Sequence, residues 1–135
     1  MSYAMAAGLQ AALFAALDGD ATLGGLVSGA VYDAVPDPVP DLFVAIGPEE
    51  AVGRSDASGG GAVHEVKVCV ATTRGGYADA KVVAARVSEI LEGMPLAMTR
   101  GRVAGVRFVK ARARMDEGEG VRRIDMVFRI RVEDD

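Results

Sequence analysis

The residues able to do chemistry in this chain are few, and their spacing does not bring them together. His64 is the only histidine and Cys69 the only cysteine in 135 residues. Along an extended Val63–Thr73 segment, His64, Val66, Val68 and Val70 share one face. Glu65, Lys67 and Cys69 share the other, because side chains alternate along a strand. The two groups therefore cannot form a local nucleophile–base dyad, and His64 reads as a packing or edge residue. A zinc site takes three or four His, Cys or carboxylate ligands, which one His and one Cys do not supply. Gly59-Gly60-Gly61 suggests a phosphate loop, but the Gly-Lys-Ser/Thr ending is missing and a strand, not a helix, follows. Arg54, Ser55, Asp56 and Ser58 offer polar contacts suited to an interface and lack a base for catalysis. Glu49-Glu50 and Asp134-Asp135 are consecutive acids with no partner acid at a defined distance. The expectation is a protein that is not an enzyme and carries no catalytic, cofactor or metal site.

The candidate that remains is a basic surface on the last thirty or so residues. Arg102–Met115 and Val121–Val132 are two apolar-alternating runs around a short acidic, Gly-containing turn, which predicts a long C-terminal β-hairpin. In the second run Ile124, Met126, Phe128, Ile130 and Val132 occupy every other position. In the first, Val109, Ala111, Ala113 and Met115 alternate with Lys110, Arg112 and Arg114. Val106 and Phe108 are on the opposite parity, so a β-bulge is expected near Phe108–Val109. Matching the apolar faces across a short turn puts Arg112 opposite Asp125 and Arg114 opposite Arg123. Facing arginines imply an outside anion between them or two splayed, solvated side chains. Lys110, Arg112, Arg114, Arg122, Arg123, Arg129 and Arg131 could contact phosphates, but no aromatic residue is interleaved to stack on bases. Salt bridging to a neighbouring subunit, or plain solvation, accounts for the same residues.

The elements that must position these groups follow from periodicity. Ser2 is placed to cap a first helix running to about Leu17, whose main stripe is Met5, Leu9, Ala12, Leu13, Ala16 and Leu17. Phe14 and many alanines cover its other sides, so one face is expected to meet another subunit through Leu13 and Phe14. Asp20 can cap a further helical turn to Leu26. Val31–Val35 and Asp41–Gly47 read as strands stopped by prolines, and Glu49–Ala62 as the longest, mobile loop. Tyr77–Glu92 is a second main helix, with Gly93 suited to a left-handed position after its last turn. The fold class is α+β: a mainly antiparallel sheet with two main helices packed on one face, then the hairpin. With half its residues apolar, the chain suits one domain over residues 1–135. Residues 1–61 carry eight acids against Arg54, while 62–135 carry fourteen bases against eleven acids. Such a chain can pair head-to-tail with its own copies. One cysteine gives no sign of an oxidising compartment, and the Ala4–Leu17 run is too short to span a bilayer and lacks a basic flank. A soluble protein made in the cytoplasm, with no membrane partner, is expected.

The order of segments resembles a known family. It runs LQAALFAALDGDATLGGLV, GAVYDAVPD, FVAIGPEE, a Gly-rich loop, HEVKVCVATTRGGYADAKVVAARVSEIL and RVAGVRFVKARARMDEGEGVRRIDMVFRIRVED. This is similar to the tail-completion, or tail-terminator, family of long-tailed phages and phage-like gene transfer agents, over nearly the whole chain. The resemblance implies a hexameric ring at the head-proximal end of the tail tube, with the major tail tube protein and the neck connector as partners. It also implies that DNA passes through the lumen without specific binding, in a particle at the head–tail junction. Candidate interface residues on this reading are Leu13, Phe14, Arg54, Asp56, Arg112, Arg114, Arg122, Arg123 and Arg129. The competing readings are a small-ligand-binding α+β module and a weak DNA-binding domain using the hairpin face.

Overall fold

Met5, Leu9, Ala12, Leu13 and Leu17 recur at helical spacing, and they form the buried stripe on helix α1 (Ala6–Asp18). The computed structural model describes residues 3–53, 61–93 and 95–134. Met5 stands at the N-cap of α1 with no side-chain hydrogen bond, so no side-chain cap starts this helix; Ser2, expected as its cap, lies outside the described residues. Asp20 does cap α2 (Ala21–Val27): its Oδ2 accepts from Leu23 N at 2.9 Å. The same carboxylate receives Arg86 from α3 (Ala78–Gly93) through Nε at 2.9 Å and Nη2 at 2.7 Å. This bidentate contact ties α2 to α3, and the Arg86 hydrogen bonds, with the Leu23 N–H, lower the Asp20 pKa to about 2.

Five strands follow the alternation read from the sequence. They are β1 (Val31–Tyr32), β2 (Leu42–Gly53), β3 (Gly61–Thr72), β4 (Arg102–Asp116) and β5 (Val121–Glu133). Their order across the sheet is β1-β2-β3-β5-β4, antiparallel except for β1 against β2. One face of the sheet buries Val66, Val68, Val70, Ile124, Met126, Phe128 and Ile130 beneath the helices, with Leu9, Leu17, Val87 and Leu91 in the same core. At about 25 cal/mol per Å² of apolar surface, this shared burial is the main stabilising contribution.

The hairpin register is the one that parity required: Arg112 pairs with Asp125 and Arg114 with Arg123, and the register shifts between Phe108 and Lys110. A second shift falls between Val103 and Gly105. Gly120, at φ 66°, completes the turn. Gly101 (φ 70°) brings the chain into β4 so closely that a Cβ there would lie 2.5 Å from Glu133 O.

Four boundaries differ from expectation. The strand expected over Val31–Val35 ends at Tyr32, where its pairing with β2 stops. β2 does not stop at Gly47 but continues through Pro48 to Gly53, because a register shift between Ile46 and Glu49 takes up the residue that cannot donate to the ladder. The Glu49–Ala62 loop is correspondingly shorter: Glu49–Gly53 pair with Ala62–Val66, and only 54–60 remain, outside the described residues together with the nominated Arg54 and Asp56. Gly93 is the last residue of α3 and has no positive φ.

Candidate functional site

His64 is 1% exposed and lies on the helix-covered face with Val66 and Val68, as alternation predicts. It is not merely packed, however. The continuation of β2 sets Glu49 beside it, with Nδ1 and Glu49 Oε2 2.9 Å apart. Tyr3 OH donates to the other Glu49 oxygen, which raises the phenol's pKa, and its ring stacks on the imidazole at 6.2 Å. His64 Nε2 has no hydrogen-bond partner among the described residues. A carboxylate that orients an imidazole supplies two members of a nucleophilic triad, but no hydroxyl or thiol among the described residues meets the free nitrogen. Cys69 is on the opposite face, where burial pushes its thiol pKa up and away from the reactive thiolate. Among the described residues no group of three metal-binding side chains occurs. Glu49 was invisible as a partner in the sequence because it sat in an apparent loop.

The face of the sheet turned away from the helices carries the charge. Arg114 Nε lies 2.7 Å from Asp125 Oδ2, and Arg129 Nη2 lies 2.6 Å from Glu65 Oε2. Arg123 reaches Glu119 at 3.2 Å and Asp116 at 3.8 Å, and touches Cys69 Sγ at 3.9 Å. The facing arginines Arg114 and Arg123 are both engaged by carboxylates of the chain itself. Each takes its own carboxylate, one diagonally across the hairpin and one from the turn. Arg122 is not on this face at all: it shares the parity of Ile124, sits 5.7 Å over the Tyr77 ring and donates to Arg74 O at 3.2 Å. Lys67, Arg107, Lys110 and Arg112 have no ion-pair partner among the described residues. Lys67 and Lys110 flank Val127 in one row across the sheet, and Arg112 follows in the next. What this surface can do is hold an acidic surface; it offers no ring on which a base could stack.

A family model described as Tail completion protein gp17 matches residues 11–133. The chain belongs to the tail completion family. It is also similar, at 49% sequence identity and a TM-score of 0.91, to a chain in the solved virion of a native gene transfer agent particle, with 98% of this chain and 99% of that one covered. No curated protein matches it.

In this tail completion protein, α1 separates the two residues nominated together on it. Leu13 is 1% exposed and points into the subunit's own core, so it is withdrawn as a contact with another subunit. Phe14 is half-buried, beside the outward-facing Ala7, Ala11 and Ala15. The apolar surplus of the helix is thus an alanine-rich outer surface and not a second buried stripe. No helix among the described residues is long and apolar enough to cross a membrane.

Proposed function

We propose that this chain is a structural protein of a tailed phage or gene transfer agent particle. Its role is to form a hexameric ring at the head-proximal end of the tail tube, end the tube and join it to the neck connector. The observation that carries this reading is the near-complete likeness, at 49% identity, to a chain of a gene transfer agent virion. Identity of that order over 98% of the chain, with a TM-score of 0.91, supports a shared fold and a related place in a particle. The division of charge supports it, since an acidic N-terminal half and a basic hairpin suit a heterologous contact that closes into a ring. Phe14 and the alanines around it supply a second surface for a subunit, tube or connector contact. The chain is made in the cytoplasm and then held in the particle, and DNA passes through the ring without sequence-specific contact. The test is negative-stain microscopy of the purified protein, alone and mixed with its major tail protein. Six-fold rings, free or capping tube ends, are expected; monomers that never associate with tubes would overturn the reading.

A further inference from the structure

One row of side chains crosses the open face of the sheet through four strands. Glu50 of β2 pairs with Glu65 of β3, Glu65 with Arg129 of β5, and Arg129 with Arg107 of β4. The row reads acid, acid, base, base. Its middle is satisfied, with Arg129 Nη2 2.6 Å from Glu65 Oε2. Its ends are not: the side chains of Glu50 and Arg107 are exposed and have no hydrogen bond or ion pair among the described residues. Each end instead faces a like charge on its neighbouring strand, an arrangement that destabilises the isolated sheet.

We propose that the free edge of β4 in one copy pairs with the free half of β2 in a second copy, antiparallel, with Arg107 beside Glu50. The inference rests on the ring reading and names the contact that would build the ring. Neither edge carries a further strand along these stretches among the described residues; on β4 the Phe108 N–H donates to the exposed Glu92 Oε2 at 3.3 Å, a contact an incoming strand would displace. β4 ends the strand order, and β1 covers β2 only at Val44 and Ala45, leaving Ile46–Gly53 without an outer neighbour among the described residues. Both edges are at the same height, because the register sets Glu49–Gly53 level with Val103–Phe108. Direction fits as well. Three antiparallel steps separate β2 from β4, so they run opposite ways, and a copy set alongside without inversion presents β2 antiparallel to β4. The row then continues as acid, acid, base, base from copy to copy, and the charges meeting at each junction are opposite. Large apolar groups also stand exposed at both edges: Phe108 and Val109 on β4 (38% and 37%) and Val52 on β2 (48%). Edge lysines and arginines commonly serve to repel other strands. That use does not account for an unpaired acid on the opposite edge of the same row.

The experiment compares assembly of the wild-type chain with Glu50→Arg, Arg107→Glu and the double exchange, by light scattering and by microscopy on tail-tube ends. Each single reversal places like charges at every junction and is expected to weaken assembly at least tenfold; the double exchange restores it. Within one chain the two residues are three strand spacings apart, about 14 Å, so rescue reports a contact between copies. Neither single change threatens the fold, since each replaces a like-charge neighbour by an opposite one, and thermal unfolding is expected not to fall. As a second measurement, Glu50→Cys with Arg107→Cys in one chain should, on oxidation, link assembled copies into a ladder of multimers. Single variants that assemble like wild type, a double variant that does not recover, or the absence of cross-links in assembled rings overturns the edge pairing and leaves the ring reading intact. A wild-type chain that forms no ring, alone or on tubes, overturns both.

Discussion

β4 and β5 are the two arms of one hairpin, with similar alternation and similar charge, yet they have opposite fates. In β5, Ile124, Met126, Phe128, Ile130 and Val132 are all buried. In β4, the residues opposite three of these (Phe108, Ala111 and Ala113) are exposed, as is Met115 further towards the turn. The two phenylalanines meet edge-to-face at 5.8 Å, but Phe128 is fully buried while Phe108 is 38% exposed. The difference is one of position in the sheet. β5 lies between β3 and β4, whereas β4 has a strand on one side only. An apolar face on a central strand is spent on the subunit's own core. The same face on an edge strand stays partly open to solvent.

Substitutions can break this comparison, and the largest effects belong to the core. Leu13→Asp buries an unpaired carboxylate at a site that is 1% exposed. It is expected to cost more than about 4 kcal/mol and abolish the cooperative transition seen by circular dichroism. Phe14→Asp, one residue on, should keep a cooperative fold at a smaller cost in stability and fail to join tail tubes; a monomeric but equally stable Leu13→Asp protein would reverse the assignment of the two helix faces. In the hairpin, Phe128→Ala should cost about 3–5 kcal/mol in urea unfolding. Phe108→Ala should cost less than about 1.5 kcal/mol, most of it the lost ring contact. Equal costs would mean that β4 is as much a core strand as β5.

Smaller effects sharpen the picture of the charged face. Arg114→Ala removes a guanidinium paired with Asp125, so the unfolding midpoint should drop slightly at low salt and converge on wild type as salt rises. Arg112→Ala, with no such pair, should leave the midpoint unchanged at any salt. The smallest effect is one of pH. The Asp20 pKa is lowered from 3.8 to about 2, so its contribution to stability is fully present above about pH 4 and is lost as pH falls towards 2. Asp20→Asn keeps a cap for α2 and gives up the charge. Acid titration of its unfolding should therefore run flatter than wild type across that window, and an unchanged slope would show that Arg86 adds nothing.

Much of the hairpin surface is legible in the sequence. The pairing of Arg112 with Asp125 and of Arg114 with Arg123 followed from parity and a short turn. The bulge near Phe108 followed from one slip in alternation, and the Asp20 cap from its position ahead of a helical turn. Glu49 could not be read this way, since Pro48 looked like the end of a strand. Whether a proline ends a strand depends on whether its missing N–H would have faced a neighbour. Next to a bulge, and past the point where β1 covers β2, it did not need one. Arg107 was missed for a related reason: a bulge on either side hid which face it takes.

Local alternation determined the strands, the helix stripe and the hairpin register by itself, because a period of two or of 3.6 residues fixes which side chains share a face. Tertiary structure alone decided which of those faces are used up. Sheet order put β5 inside and β4 at the edge, set His64 against Glu49 and lined up Glu50, Glu65, Arg129 and Arg107. A strand's neighbours in the sheet come from distant parts of the chain, and no local period encodes them.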